Sequence, residues 1–116
     1  MGSEGTLAVI VEATMRLRTA PTAATTVVAF FDSAESAIDA VLAVSAVAEP
    51  CQLELMDDVT IGAVNRLTKM GLDESAGAML LIQCDGRSAA AEAADCATAC
   101  ESVGARSFPH RRSGGR

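Results

Sequence analysis

Gly2-Ser3-Glu4-Gly5-Thr6-Leu7-Ala8-Val9-Ile10-Val11-Glu12-Ala13-Thr14-Met15-Arg16-Leu17-Arg18 opens on a turn and runs directly into alternation. Val9, Val11, Ala13, Met15 and Leu17 fall on one side of an extended chain. Ile10, Glu12, Thr14, Arg16 and Arg18 fall on the other. Period-two patterning with β-branched residues predicts a half-buried strand. The two glycines bracketing Ser3-Glu4 let the backbone turn tightly and approach another group closely, because neither carries a Cβ. N–H groups exposed in such a turn suit an anion or the polar edge of a cofactor. Gly-x-x-Gly-Thr matches neither a P-loop nor a Gly-x-Gly-x-x-Gly fingerprint, so spacing alone also fits an ordinary turn before a strand.

Downstream, Thr19 to Thr25 is a Pro/Thr/Ala linker that Pro21 keeps from being helical. Thr26 to Phe31 is β-branched and aromatic on both faces, which predicts an interior strand. Asp32-Ser33-Ala34-Glu35 has the form of a capping box with Asp32 first and Glu35 three residues on. A helix follows with Ile38, Val41, Leu42 and Ser45 on its packing stripe, Glu35 and Asp39 on its wet side, and an end before Pro50. Cys51 to Met56 alternates, with Leu53 and Leu55 opposite Gln52, Glu54 and Met56. Asp57 or Asp58 caps a second helix with Ile61, Val64, Leu67 and Thr68 inward and Gly71 as its stop. Asp73 to Gly77 is a polar loop, Ala78 to Cys84 a central strand, and Asp85-Gly86 a turn. Ser88 to Val103 is an alanine-rich helix stopped by Gly104, and Ala105 to Phe108 a short last strand. The tail from Pro109 is basic and glycine-rich, and is expected to be disordered.

The N-terminal stretch closely resembles the segment Gly-Ser-Glu-Gly-Thr-Leu-Gly-Val-Ile-Thr-Glu-Ala that closes the FAD-binding domain of the FAD-linked oxidases related to vanillyl-alcohol oxidase. Within that family it is most similar to the glycolate oxidase and D-lactate dehydrogenase type. Ala29-Phe30-Phe31-Asp32-Ser33 with its acidic, alanine-rich helix, then Leu53-Glu54-Leu55-Met56-Asp57, then Ala63-Val64-Asn65 carry the resemblance onward, over most of residues 2–104. Ala8 stands where the family has Gly, and Val11 where it has Thr.

Strand–helix alternation by itself suggests a parallel sheet. The resemblance implies instead an α+β fold: a ferredoxin-like antiparallel sheet with helices on one face, preceded by one strand from an FAD-binding domain. Residues 1–18 would end that domain, 19–25 link it, 26–108 form an incomplete substrate (cap) domain, and 109–116 the tail. The implied function is part of an FAD-dependent oxidoreductase that oxidises a small 2-hydroxy acid, glycolate or D-lactate, by hydride transfer to flavin. Glu4, Gly5, Thr6, Leu7, Ala8, Val9 and Ile10 would contact FAD, with Glu4 steadying the turn. The family's upstream Pro-Gly-Gly half and downstream His-x-Gly-Asp-Gly-Asn-x-His segment are not in this sequence, so the chain is expected to be a middle slice, not catalytic alone. The alternative is a non-enzymatic α+β module that binds a ligand or pairs through a sheet edge.

Composition narrows the rest. At 116 residues the chain is one domain's worth, half of it hydrophobic, with three Phe and no Trp or Tyr. Alanine supplies much of the apolar count, which predicts close helix packing. A net charge of −6 argues against nucleic acid or an anionic membrane surface as partner. No apolar run is long enough to span a bilayer and no basic-then-apolar leader is present, so the expected compartment is the cytoplasm. An incomplete sheet favours a second copy or a complementing chain as partner.

No residue is expected to be catalytic. There is no Gly-x-Ser-x-Gly, and the single His, His110, lies in the tail. Cys51, Cys84, Cys96 and Cys100 form no Cys-x-x-Cys and lack partners at metal-binding spacing, so they read as small buried hydrophobes, with no metal site and no disulfide framework. Asp57-Asp58 reads as a helix cap. Glu54 faces either solvent or a substrate cleft, with solvent the default.

Overall fold

The computed structural model describes residues 2–17, 20, 24–86, 88–107 and 111–112. Its elements run β1 (Thr25–Phe31), α1 (Ala34–Val47), β2 (Gln52–Asp57), α2 (Asp58–Thr68), β3 (Ala78–Cys84), α3 (Ala89–Ser102), β4 (Arg106–Ser107) and β5 (Arg111–Arg112). Every strand pairing is antiparallel, in the order β2-β3-β1-β4, with β5 further along the same edge of β1 as β4. β3 therefore lies between β1 and β2, which is the split arrangement of a ferredoxin-like unit, with α2 inserted between β2 and β3. The fold is α+β; the parallel alternative is excluded.

Strand periodicity divides the core in two. Val27, Ala29 and Phe31 of β1 and Ala78, Leu80, Ile82 and Cys84 of β3 point to the face covered by α1 and α3. There the helices contribute Ala37, Ala40 and Val44, and Ala89, Ala93, Cys96 and Cys100. Small side chains let two helices lie close on one sheet, as the alanine content predicts. Fully burying a residue such as Phe31, Leu80 or Ile82 contributes ~1.5–3 kcal/mol. The two helices of the ferredoxin-like unit thus share one face. The inserted α2 lies against the other, where Ile61 packs on Phe30, Met79 and Ala76.

The helix ends show where local chemistry overrode pattern. α1 is capped by Ser33, not Asp32: Ser33 Oγ accepts from Ser36 N–H at 3.3 Å. Asp32 pairs instead with Arg106 at 2.8 Å. The packing stripe of α1 is also rotated from expectation. Ile38 and Leu42 are 53% and 66% exposed, because the helix settles onto its alanines, which match the alanines of α3. Asp57 caps α2 as predicted, accepting from Thr60 N–H at 2.8 Å. On α2 only Ile61 is buried; Val64 is half-buried and Leu67 and Thr68 are exposed. The helix stops before Gly71, with Lys69 at φ 53° as its C-cap. Asn65 explains the early exit: its carboxamide accepts from Leu72 N–H at 2.9 Å and donates to Leu72 O and Glu74 Oε1, both at 2.8 Å.

Two expectations for the ends of the chain are corrected. Residues 7–17 form no strand in this structure. Period-two amphipathicity specifies which face a strand would bury, but a strand also needs a neighbour for its N–H and C=O groups, and no described residue pairs with this stretch. At the other end, Arg111–Arg112 pairs with Thr26 and Thr25 instead of being without structure. Phe108, Pro109, His110 and residues 113–116 lie outside the described residues, as do most of the linker positions.

Candidate functional site

The N-terminal turn has a defined shape. Ser3 O accepts from Thr6 N–H at 2.9 Å and from Thr6 Oγ1 at 2.6 Å. The two central residues, Glu4 at φ 50° and Gly5 at φ 79°, are both left-handed, as in a type I′ turn. Gly5 meets that demand without strain, and Glu4 is held in it by the closed turn. Beyond the turn the chain curves around an open hollow of ≈ 620 Å³, lined by Gly2, Ser3, Glu4, Gly5, Leu7, Ala8, Val9 and Ile10. Leu7 and Val9 are 87% and 84% exposed, and Ile10 is largely exposed too. The hollow therefore offers a bare aliphatic wall beside a glycine turn. Six of the seven expected cofactor residues, Glu4, Gly5, Leu7, Ala8, Val9 and Ile10, line it, and Thr6 closes the turn. These residues fit one side of a flat, partly apolar group such as a flavin, and the opposite side is not supplied by this segment.

A second hollow, of ≈ 550 Å³, lies where the end of α1 meets the start of α3, lined by Ser45, Val47, Glu49, Ser88, Glu92 and Asp95 among others. Glu92 Oε1 accepts from Glu49 N–H at 3.2 Å there. Taken helix by helix, Glu92 and Asp95 belong to a wet face; their meeting with Glu49 depends on helix packing that no local pattern encodes.

The remaining candidates fall as structural groups. Asp57's carboxyl is held below its ordinary value by the Thr60 hydroxyl and N–H, the signature of a cap. Asp73's is lowered likewise, by the Ser75 hydroxyl and N–H and less by Arg106. Cys84, Cys96 and Cys100 are buried free thiols, whereas Cys51, expected to be buried with them, is exposed. Burial pushes Cys84 up to about 12 and Cys100 to about 11, and raises Cys96. A thiol held neutral is neither nucleophile nor metal ligand. Among the described residues no group of three or more His, Cys, Asp or Glu is placed to hold a metal, and no helix is long and apolar enough to cross a membrane.

Comparison with known proteins resolves what kind of domain this is. Residues 20–113 match the family described as FAD linked oxidases, C-terminal domain. The chain belongs to that family. It is 36% identical over 87 residues to the glycolate oxidase subunit GlcD of Bacillus subtilis (strain 168), covering 74% of this chain and 18% of the relative. It is 38% identical over 71 residues to a probable mitochondrial D-lactate dehydrogenase of Danio rerio, covering 60% of this chain and 14% of the relative. The chain thus spans less than a fifth of the length of these relatives. Within this FAD linked oxidase domain the matched range holds all the described strands and the three helices. The glycine turn and its hollow precede it.

Proposed function

We propose that the chain is part of an FAD-dependent oxidoreductase that oxidises a small 2-hydroxy acid of the glycolate or D-lactate type. The observation that carries the reading is the family match across residues 20–113. In this reading residues 1–18 end the FAD-binding unit, 19–25 link it, and 26–108 stand on the substrate side. FAD lies against Glu4, Gly5, Thr6, Leu7, Ala8, Val9 and Ile10. Main-chain groups of the turn approach its polar edge, and Leu7, Val9 and Ile10 keep water from one side of the ring. When bound, the flavin supplies the redox chemistry, accepting a hydride equivalent from the carbon that bears the hydroxyl. None of this chain's residues is assigned as catalytic. A cytoplasmic location is part of the same reading.

A fluorescence titration of FAD tests the hollow. Gly5→Val places a β-branched residue at φ 79°, where it is strained, and opens the turn. The variant is expected to bind FAD about tenfold more weakly than the parent chain, the loss of one good set of backbone contacts. Equal FAD affinity in both, or none in the parent, counts against the placement.

Pairing with a second chain is part of the same reading, and the outer edge of β2 supports it. Gln52–Asp57 pairs on one side only among the described residues, and the helix above the sheet leaves Ile38 and Leu42 exposed. An unpaired edge beside apolar surface favours strand addition. Sizing in solution is expected to give a dimer, and Leu55→Lys on that edge a monomer; a parent chain that runs as a monomer refutes the pairing.

A further inference from the structure

The outer edge of β2 lacks the devices by which an exposed strand is usually kept from pairing. Gln52–Asp57 holds no proline or lysine, and it pairs residue by residue with Gln83 to Ala78, without a bulge. The other side of the sheet ends in β4 and β5, which are two residues long each and offer little ladder to an added strand. On the face that α1 and α3 cover, Leu53 continues the cross-strand row of Ile82 and Val27, and Leu55 the row of Leu80 and Ala29. Both rows stop at the edge. Leu55 is left exposed, and so are Ile38 and Leu42 of α1, which packs over this face.

A segment with the complementary pattern exists in the same chain. Ala13, Met15 and Leu17 share one side of residues 13–17, and Thr14 and Arg16 the other; all five are exposed, and no described residue pairs with them. Directly opposed residues of an antiparallel pair point to the same face of the sheet. Setting Leu17 against Leu53 therefore sets Met15 against Leu55 and Ala13 against Asp57, with Arg16 against Glu54 and Thr14 against Met56 between them. Leu17 and Met15 extend the two apolar rows. The guanidinium of Arg16 meets a carboxylate that Gln52 Nε2 already orients, by donating to Glu54 Oε1 at 2.8 Å. Sliding the segment by one residue turns its apolar side to the wrong face. Pairing two β2 edges with each other lacks the match, because it gathers Glu54 and Asp57 of both copies on one short ladder, where like charges repel.

The chain's own edge does not hold the segment, so the edge is open to a second copy's. Residues 18–24 connect Leu17 to Thr25, and seven residues at ~3.3–3.6 Å each span at most about 25 Å, which sets how near the two bodies lie. Exchange in both directions gives a closed two-fold dimer, each copy lending one strand and receiving one. Residues 2–10, which carry the hollow, lie beyond the ladder, so the exchange leaves the glycine turn free for FAD. We infer that residues 13–17 of one copy add as an antiparallel strand to the β2 edge of another, with Arg16 facing Glu54. This rests on the pairing proposed above and names the strand that is added.

Sedimentation of the full chain over a series of concentrations tests this, together with isotope-filtered nuclear magnetic resonance on an equal mixture of ¹³C-labelled and unlabelled chains. The expected results are a dimer, and nuclear Overhauser contacts from the Met15 methyl of one copy to Leu55 of the other. Met15→Pro removes a backbone donor and an apolar contact, and is expected to weaken the dimer at least about a hundredfold, tenfold for each of the two ladders. Arg16→Glu is expected to weaken it about tenfold, and Arg16→Glu combined with Glu54→Arg to restore it. In each variant the signals of β1 and β3 should stay those of the folded parent. A Met15→Pro chain that still dimerises, Met15–Leu55 contacts found only within one chain, or a charge exchange that restores nothing would each overturn the assignment. A dimer that withstands Met15→Pro loses the strand exchange and keeps the pairing; a monomeric parent loses both. FAD binding is read separately by fluorescence, so a chain that exchanges strands without binding FAD loses the hollow and keeps the exchange.

Discussion

Raising the pH from about 8 to about 11, across the ordinary range of cysteine ionisation, is expected to remove most of the stability of the folded chain. The cause is the set of thiols under α3. In the unfolded chain a cysteine ionises near ~8.5. In the folded chain burial holds Cys84 neutral up to about 12 and Cys100 up to about 11, and raises Cys96 as well, with the neighbouring Cys96 thiol adding to the effect on Cys84. A folded value above the unfolded one means that the contribution is fully present below the unfolded value and is lost as pH rises toward the folded one. Inside that window the unfolded chain has released protons that the folded chain still holds, so each thiol lowers stability by ~1.4 kcal/mol per pH unit. Cys84 and Cys100 together account for ~3 kcal/mol per unit, against a typical total of ~5–15 kcal/mol. The chain has no tyrosine and a single lysine, so few other residues are of a type that ionises in this range. Urea denaturation at a series of pH values should show the midpoint falling steeply above about pH 9. In a Cys84→Ala, Cys100→Ala double variant the alkaline limb should be much flatter, even though the variant starts from a lower midpoint. A parent midpoint that holds level to about pH 11 would show that the thiols are not held neutral.

How much of this was legible beforehand depends on which force decided each feature. β3 appears where the apolar run Ala78 to Cys84 predicts it, and β1 within one residue, because a strand buried on both faces leaves a continuous hydrophobic signature. Asp57 was legible as a cap because capping is a contact over three residues. The packing stripe of α1 was not. Ile38 and Leu42 are more hydrophobic than Ala37 and Ala40, and only the closeness of α3 makes the alanines the better fit. Asp32 lost the cap to Ser33 because Arg106, near the other end of the chain, competes for its carboxylate. The N-terminal alternation is a true signal of a face, but the partner that would turn it into a strand is not among the described residues. The cofactor residues themselves were picked by resemblance; the structure adds that most of them line one hollow, and that the same stretch leaves its aliphatic side chains bare. The acidic meeting of Glu49, Glu92 and Asp95 needed the tertiary arrangement, since each member is unremarkable in its own element.

Gly77→Ala is expected to destabilise the fold by ~3 kcal/mol, the upper part of the range for forcing a methyl group into a packed site. A Cβ built at Gly77 would overlap Asp32 O and stand 2.7 Å from Asp32 C and 3.1 Å from Ser33 Cα. All three are backbone atoms, so no side chain can swing aside to make room. The closeness has a purpose in the fold: Gly77 N–H donates to Phe31 O at 2.9 Å, which fixes the entrance of β3 against the exit of β1 and sets the Phe31–Ala78 register. Separating the two backbones lengthens that bond, disturbs the Ser33 cap of α1, and pulls at the Asp32–Arg106 pair. For a domain of this size ~3 kcal/mol corresponds to a fall in Tm of roughly 10–20 °C. Gly62→Ala is the contrasting case. It lies inside α2, and the nearest atom to its added Cβ is the movable Arg66 Nη1 at 3.5 Å. Alanine is the better helix former, so this change should raise stability by ~0.5–1 kcal/mol. Thermal melts of both variants decide the matter. A Gly77→Ala chain that melts with the parent would mean that β1 and β3 do not cross as closely as the structure has them, and the ferredoxin-like register would have to shift with them.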